Sequence, residues 1–409
     1  MPGYIEDRWM TKRPDPATGQ KKRTSRYGQG KRYRVCGIPG VKDESFHKQQ
    51  DAKDWLASAQ TDSRRGNYID PRLGAITLRV YVETIWWPAR RDPVGTSAPM
   101  RSKIWNHILP HLGEIPLTSL DAEHLRAWLA ILRDKPNLSE STIEVIWIHL
   151  TSILKTAVGK RIAKNPCSEM ADERPSGSGE IKARAWTPDE ARAIRMGLPD
   201  WYRVSTDLGI RGGLRQGEAF GWSMDDLDLE AGEFTVARQL RWDGKTAYFK
   251  LPKGNKERRV PLSEGLHKAL KAHARDFPSQ EVTLPWFGPG NGGRATATVR
   301  LLLTTWFYNP INPNSFNPKA WKPALVEAGL LSPQDTDADG SGWEPSRELM
   351  FHRCRHTYAS VQLRAGEDPV SLSHWMGHAS PDITFKTYAH FMPERGRRGR
   401  LAVDSWLDA

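Results

Sequence analysis

The chain is 409 residues long and carries 60 Lys and Arg against 48 Asp and Glu, a formal net charge of +12. That length admits two or three domains with real cores, and the charge favours a polyanionic partner. No run of about eighteen apolar residues is present, and the start Met1-Pro2-Gly3-Tyr4 has no signal-peptide core, so neither a membrane span nor export is expected. Cys36, Cys167 and Cys354 are too far apart for a metal spacing or an obvious disulfide set, which fits a reduced, cytoplasmic protein.

Residues 1–70 are basic with interleaved aromatics: Lys12, Arg13, Lys21, Lys22, Arg23, Arg26, Lys31, Arg32 and Arg34 stand among Trp9, Tyr27 and Tyr33. Pro14-Asp15-Pro16 and Gly28-Gln29-Gly30 are turn clusters, and Tyr33 to Ile38 alternates as a strand does. Gln49 to Ala59 has the apolar spacing of an amphipathic helix. A small sheet on one helix, with cations on the sheet, is a shape that enters a DNA groove. The alternative is a disordered basic tail before residue 30.

Residues 75–171 are predicted to be all helical. Leu78, Tyr81, Val82, Ile85 and Trp86 repeat at helical spacing, as do Ile104, Ile108 and Leu112. Leu120-Asp121 opens a third helix with Leu125, Trp128, Leu129 and Leu132, and Ser141 to Ala157 gives a fourth. The polar stretch 172–185, with Pro175-Ser176-Gly177-Ser178-Gly179, reads as a flexible linker that lets two domains form a clamp. Thr187-Pro188-Asp189-Glu190 is a capping box that opens a mixed domain over 186–394.

In that domain Glu233 to Arg241, the Asp243-Gly244 turn, Thr246 to Leu251 and Arg258 to Leu262 predict a three-stranded meander. Ser380-Pro381-Asp382 caps a short helix that carries Tyr388. The tail 395–409 places Arg395, Arg397, Arg398 and Arg400 before Leu401, Val403, Trp406 and Leu407, and packs either on its own domain or on a neighbouring subunit. Two segments mimic ligand loops. Gly288-Pro289-Gly290-Asn291-Gly292-Gly293 lacks the Lys-Ser/Thr of a phosphate loop and reads as a turn. Asp335-Thr336-Asp337-Ala338-Asp339-Gly340 starts like a calcium loop but has Ser346 where a bidentate Glu is needed. An acidic surface insertion over 331–346 is the simpler account, and no metal site is expected.

The last hundred residues hold His352-Arg353-Cys354-Arg355-His356, then Gly377-His378, then Tyr388. Upstream stand Gly213-Leu214-Arg215-Gln216-Gly217-Glu218 and Pro252-Lys253-Gly254-Asn255-Lys256-Glu257-Arg258. Exchange of phosphodiesters without water or metal needs an oxygen nucleophile that keeps the bond energy as a protein ester, and Tyr388 suits it. Fixed donors must meet the charge on the phosphate oxygens, a task for the guanidinium forks of Arg215 and Arg355. His352 and Arg355, three residues apart, project from one helix face. A lysine on the second hairpin is placed to protonate a leaving 5′ oxygen, and spacing leaves Lys253 and Lys256 both open. Cys354 reads as a small packing residue.

In order and spacing these motifs resemble the tyrosine recombinase (phage integrase) family, specifically integrases of actinobacterial phages and integrative elements, over most of the second half of the chain. The resemblance favours Arg215 over Arg211, because Leu214-Arg215 is followed by Glu218, and Lys253 over Lys256, because the turn is like that of Xer-type recombinases. It implies that His352 assists proton removal from Tyr388, that His378 hydrogen-bonds the phosphate, and that Glu218 and His356 support the site from behind. It implies an arm-type DNA-binding domain over 1–70 and a helical, SAM-like core-binding domain over 75–171. The third domain is then of the tyrosine recombinase/type IB topoisomerase fold. The expected partner is double-stranded DNA at attachment sites, bound by a homotetramer, with an excisionase and a DNA-bending accessory protein and with no cofactor. A type IB topoisomerase, or a DNA-binding regulator without catalysis, is the alternative.

Overall fold

The computed structural model describes residues 3–64, 68, 70–92, 95–177, 183–288, 295–334, 342–343, 348–392 and 403–408. The chain divides into two units, Met1–Gly179 and Glu180–Ala409. The predicted linker is in part, and the glycine-rich turn, the acidic 335–340 loop and the basic tail are largely or wholly, outside the described residues.

The first unit starts with an antiparallel sheet in the order β1 (Tyr4–Asp7), β2 (Tyr33–Cys36), β3 (Glu44–Phe46). Helix α1 (Gln49–Arg64) buries Ala52 and Ala59 against Val35 and Ile38, so one face of the sheet is covered. The long β1–β2 connection is tied to itself. Thr11 N–H donates to the Lys22 carbonyl at 2.8 Å and Thr24 N–H to the Trp9 carbonyl at 2.9 Å. Residues 8–24 are therefore held as an extension of the β-ribbon, where the alternative expected a disordered tail.

Four helical segments follow. They are α2 (Leu78–Tyr81) running on as a π turn Val82–Trp86, and α3 (Ser97–Lys103) passing through a π turn Ile104–Ile108 into α4 (Leu109–Leu112). Then come α5 (Ala122–Arg133) and α6 (Glu140–Ala157). Thr77 and Asp121 cap α2 and α5 with side-chain oxygens. Leu112, Leu125, Trp128, Trp147 and Leu150 share one core, and the Trp128 indole meets its need for an acceptor at the His107 carbonyl, 2.8 Å away.

The second unit opens with α7 (Pro188–Gly197), whose Thr187–Glu190 capping box is formed as predicted, then α8 (Asp200–Gly212) and α9 (Gln216–Phe220). The predicted meander is not a single sheet. Strands β4 (Leu227–Asp228), β5 (Glu233–Val236) and β8 (Arg258–Pro261) form one sheet in the order β4-β5-β8. Strands β6 (Gln239–Asp243) and β7 (Thr246–Lys250) join β9 (Gln280–Trp286) and β10 (Ala295–Leu301) in another, ordered β10-β9-β7-β6. The run 233–241 breaks at Arg238, whose guanidinium is pulled onto Asp226 at 2.6 and 2.7 Å. Lys253 therefore lies on a connection between two sheets, not on a hairpin. Helix α10 (Glu264–Asp276) lies between β8 and β9 in sequence, and α11 (Pro313–Phe316) and α12 (Lys322–Glu327) follow β10.

The chain closes with α13 (His352–Ala365), α14 (Pro369–Met376) and α15 (Pro381–Tyr388). Leu208, Leu214, Phe234, Phe249, Leu363, Met376 and Tyr388 belong to one apolar core that ties these helices to both sheets. Cys354 packs inside it with no exposure, as a small helix-packing residue does. Among the described residues no helix is long and apolar enough to cross a membrane, and no group of three or more His, Cys, Asp or Glu is arranged for a metal ion.

Candidate active site

Arg215 is positioned by a sharp change of chain direction. Helix α8 ends on Gly213 at φ +67°, where a Cβ would stand 2.6 Å from the Tyr358 ring, so only glycine fits. Leu214 is then fully buried, and Arg215 becomes the residue before α9. Glu218, one turn on, reaches back. Its carboxylate accepts from the Arg215 backbone N–H at 2.9 Å and from Arg215 Nη1 at 2.9 Å. The rival Arg211 is engaged elsewhere, with Nε 3.1 Å from Asp207.

A third cation completes the group. Arg258 places Nη1 at 3.0 Å and Nη2 at 2.6 Å from the Glu218 carboxylate. Burial pushes the Glu218 pKa up, but Arg258, Arg215 and Arg355 outweigh it and bring it down to about 2. Arg355 is 1 % exposed and donates Nη1 to the Gly213 carbonyl at 2.6 Å and Nη2 to the Met376 carbonyl. Burial, then the neighbouring Arg215 and Arg258, lower its pKa to about 9, so it stays charged at neutral pH.

The remaining groups come from α13 and the last two helices. His352, Arg355 and His356 share a face because they are spaced three and four apart. Gly377 ends α14 at φ +59° and turns the chain into His378. His378 Nδ1 lies 2.7 Å from the buried Thr384 hydroxyl of α15. Tyr388, 2 % exposed, closes α15 with its oxygen 2.7 Å from His356 Nδ1 and its ring stacked on His378 at 6.4 Å and 6°. The His352 ring meets the edge of His356 at 4.7 Å.

Burial, helped by His356 and the arginines for His352 and by the arginines for the other two, lowers His352 and His356 to about 4 and His378 to about 3. Burial raises Tyr388 to about 12 against the pull of Arg355 and Arg215. At neutral pH the imidazoles are therefore uncharged and the phenol keeps its proton, with its oxygen in a hydrogen bond to His356 Nδ1. The sequence reading had His352 assist proton removal from Tyr388 and kept His356 behind the site; in the resting structure the imidazole on the phenol is His356. Tyr388 ends its helix against the second turn of α13, and the imidazole there is His356.

Lys253 is exposed in the turn after β7, with Gly254 at φ +94° and Asn255 at φ +55°. It has no ion pair or hydrogen bond among the described residues, and neither has Lys256 in the same turn. Arg215, Glu218, His352, Arg355, His356, His378 and Tyr388 are thus brought together, and Lys253 is not. Arg258 and Thr384 were missed by the sequence reading. Arg258 stands in a quoted motif but reads there as an ordinary strand cation. The cluster offers an oxyanion the guanidiniums of half-buried Arg215 and buried Arg355, with a phenol oxygen beside them.

The profile of the phage integrase family matches residues 187–395, over half of the chain and the whole of this cluster. The chain belongs to the phage integrase family. It is a tyrosine site-specific recombinase, and its relatives agree with that assignment. An integrase of Mycobacterium phage L5 is 24 % identical over 361 residues, covering 84 % of this chain and 85 % of the relative. A XerC-like tyrosine recombinase of Caldanaerobacter subterraneus subsp. tengcongensis is 26 % identical over 272 residues. That match covers 63 % of this chain and 64 % of the relative, so it spans slightly under two thirds of that protein. A lambda integrase tetramer bound to a Holliday junction has the same fold, with TM-score 0.54 at 15 % identity, covering 89 % of this chain and 93 % of that one.

In this integrase the basic amino-terminal sheet is less free than its composition implies. Lys12 pairs with Glu6, Lys22 with Asp15, Arg32 with Asp7 at 2.8 Å, Arg34 with Asp43 at 2.8 Å and Lys31 with Glu44 at 3.9 Å. Arg23 lies over the Tyr27 ring at 4.1 Å. Lys21, Arg13 and Arg26 are exposed, and none has an ion pair among the described residues.

Proposed function

We propose that this integrase inserts and excises the DNA of an actinobacterial phage or integrative element through a 3′-phosphotyrosyl intermediate. The Tyr388 oxygen forms a bond to phosphorus as the bond to the 5′ oxygen breaks. His352 receives the phenol proton as Tyr388 turns from His356 towards the phosphate, and Lys253 gives a proton to the leaving 5′ oxygen. Arg215 and Arg355 bind the non-bridging oxygens, where charge builds in the transition state. With Nδ1 of His378 engaged by Thr384, Nε2 is the nitrogen left to meet the phosphate. Attack by the partner strand's 5′ hydroxyl reverses each bond change, so the number of phosphodiesters is constant and no cofactor is consumed.

Residues 1–70 act as the arm-binding domain, 75–171 as the core-binding domain and 186–394 as the catalytic domain, with 172–185 as linker. Two duplexes present four strands to cut, which calls for a homotetramer with one Tyr388 per strand. An excisionase and a DNA-bending protein set direction. The observation that carries this reading is a buried tyrosine oxygen on an imidazole, beside two guanidiniums held by backbone carbonyls.

The test is a nicked suicide duplex carrying the attachment core. Wild-type protein is expected to become covalently linked to the 3′ end, and Tyr388→Phe to bind equally well without forming an adduct. Adduct from the Phe variant refutes the assignment of Tyr388. Binding without adduct by wild type points to a regulator, and site-independent relaxation of supercoils to a topoisomerase.

A further inference from the structure

Helix α14 ends in three successive carbonyls, and each accepts from a different arginine. Arg258 Nε donates to Trp375 O at 2.7 Å, Arg355 Nη2 to Met376 O, and Arg215 Nη2 to Gly377 O at 3.3 Å. The carbonyl end of a helix carries partial negative charge, which favours guanidiniums there. Two of these arginines are the phosphate ligands of the proposed reaction. The third, Arg258, is only 7 % exposed and spends its other two nitrogens on Glu218, whose side chain is fully buried. A Cβ at Gly377 would lie 3.1 Å from Arg258 Cδ, so Arg258 also packs directly under the turn that leads to His378.

We infer that Arg258 is a positioning residue for strand cleavage, which fixes Arg215 through Glu218 and His378 through the end of α14. It needs no contact with DNA to do this. Arg258 opens β8, in register with Val236 of β5, so its backbone is anchored by a sheet. From that base one guanidinium fork reaches a carboxylate that orients a phosphate ligand, and its third nitrogen reaches the helix end that aims the imidazole. Loss of the fork lets both drift, and misplacement of about 1 Å costs about a hundredfold in rate.

The inference rests on the proposed phosphotyrosyl chemistry, and the experiment separates the two. Full-length wild type, Arg258→Gln, Arg258→Lys and Tyr388→Phe are compared on the suicide duplex for DNA affinity, single-turnover cleavage and the pH dependence of cleavage. Arg258→Gln is expected to bind DNA like wild type and cleave about a hundredfold more slowly. A new acid limb is expected as well. The groups facing Glu218 are Arg215 beside α9, Arg258 on β8, and Arg355 and His352 on α13; the three arginines hold its carboxyl down, and His352 is uncharged at neutral pH. Removal of one cation lets burial raise that pKa, so cleavage falls as pH drops through a range where wild type is flat. Arg258→Lys keeps the charge without the fork, so it is expected to restore the flat acid side while leaving the rate low. Wild-type cleavage by Arg258→Gln overturns the inference, as does parallel loss of binding and cleavage with an unchanged pH profile, the mark of a merely structural role. If Tyr388→Phe still forms an adduct, the underlying reading fails instead.

Discussion

Glu218→Gln removes the one carboxylate set among three guanidiniums and keeps its shape. The Glu218 carboxyl lies near pKa 2 in the fold against an ordinary value of 4.5. At about 1.4 kcal/mol for each pKa unit, the charged form contributes about 3 kcal/mol to the folded state at neutral pH. Removing one partner of a buried ion pair costs about 3–5 kcal/mol, so the two estimates agree. For a domain of roughly this size the melting temperature falls by about 2–4 °C per kcal/mol, and the loss expected at pH 7 is about 6–12 °C. The sign of the pH effect follows from the depressed pKa. The stabilisation is complete above the unfolded value of 4.5 and disappears as pH falls towards 2. Thermal melts of both full-length proteins, followed by tryptophan fluorescence from pH 7 to pH 3, should therefore converge, with less than about half the gap left at pH 3. A gap that stays constant over that range, or a variant within about 1 °C of wild type at pH 7, refutes the reasoning.

His352→Ala is expected to slow cleavage by about a hundredfold or more as a lost proton acceptor, whereas His356→Ala loses one neutral hydrogen bond, about 1 kcal/mol or roughly fivefold. Single-turnover rates in the reverse order would move the proton-accepting role to His356. Lys253→Ala should slow cleavage far more than Lys256→Ala, and a duplex with a sulfur in place of the leaving 5′ oxygen, which needs no protonation, should rescue the first variant; failure of that rescue removes the general acid. Deletion of residues 1–70 should spare cleavage at an isolated core site but cripple integration, and the affinity it removes should be strongly salt-dependent. Identical footprints for full-length and shortened protein on the complete attachment site would show that these residues are not an arm-binding domain.

The parts of the site that were legible in sequence are those governed by helix periodicity. His352 and Arg355 had to share a face, Ser380-Pro381-Asp382 had to start a helix, and the Thr187–Glu190 capping box formed as read. Strand partners were not legible, because alternation marks a strand without naming its neighbour. Hence β5 and β6 looked continuous, and only the Arg238–Asp226 pair shows why they part. Arg258 was hidden for a related reason. A buried arginine and a surface one are the same letter, and its role depends on Glu218, forty residues away in sequence. The amino-terminal cations were easy to see, but the acids that pair with them are scattered through the same stretch and became partners only once β1, β2 and β3 had paired.

With Tyr388 in the proposed role of nucleophile, the charges of the resting site explain why it can be stored against an imidazole without reacting. Passing a proton from Tyr388, near pKa 12, to His356, near 4, would cost on the order of 10 kcal/mol. The phenol therefore waits in its neutral form, out of water, on a base that is too weak to take its proton. The weakness comes from burial and from neighbouring groups, and of these a phosphate can offset only the arginines that bind it. His356, then Arg355 and Arg215, depress His352, and Arg355 and Arg353 depress His356. A phosphate on those guanidiniums offsets their charge, so the imidazoles become stronger bases when the phosphorus to be attacked arrives. Water brings no such charge. On this account binding of the DNA phosphate and activation of Tyr388 are one electrostatic event, and because three guanidiniums surround the single carboxylate of Glu218, net positive charge remains to draw the phosphate in.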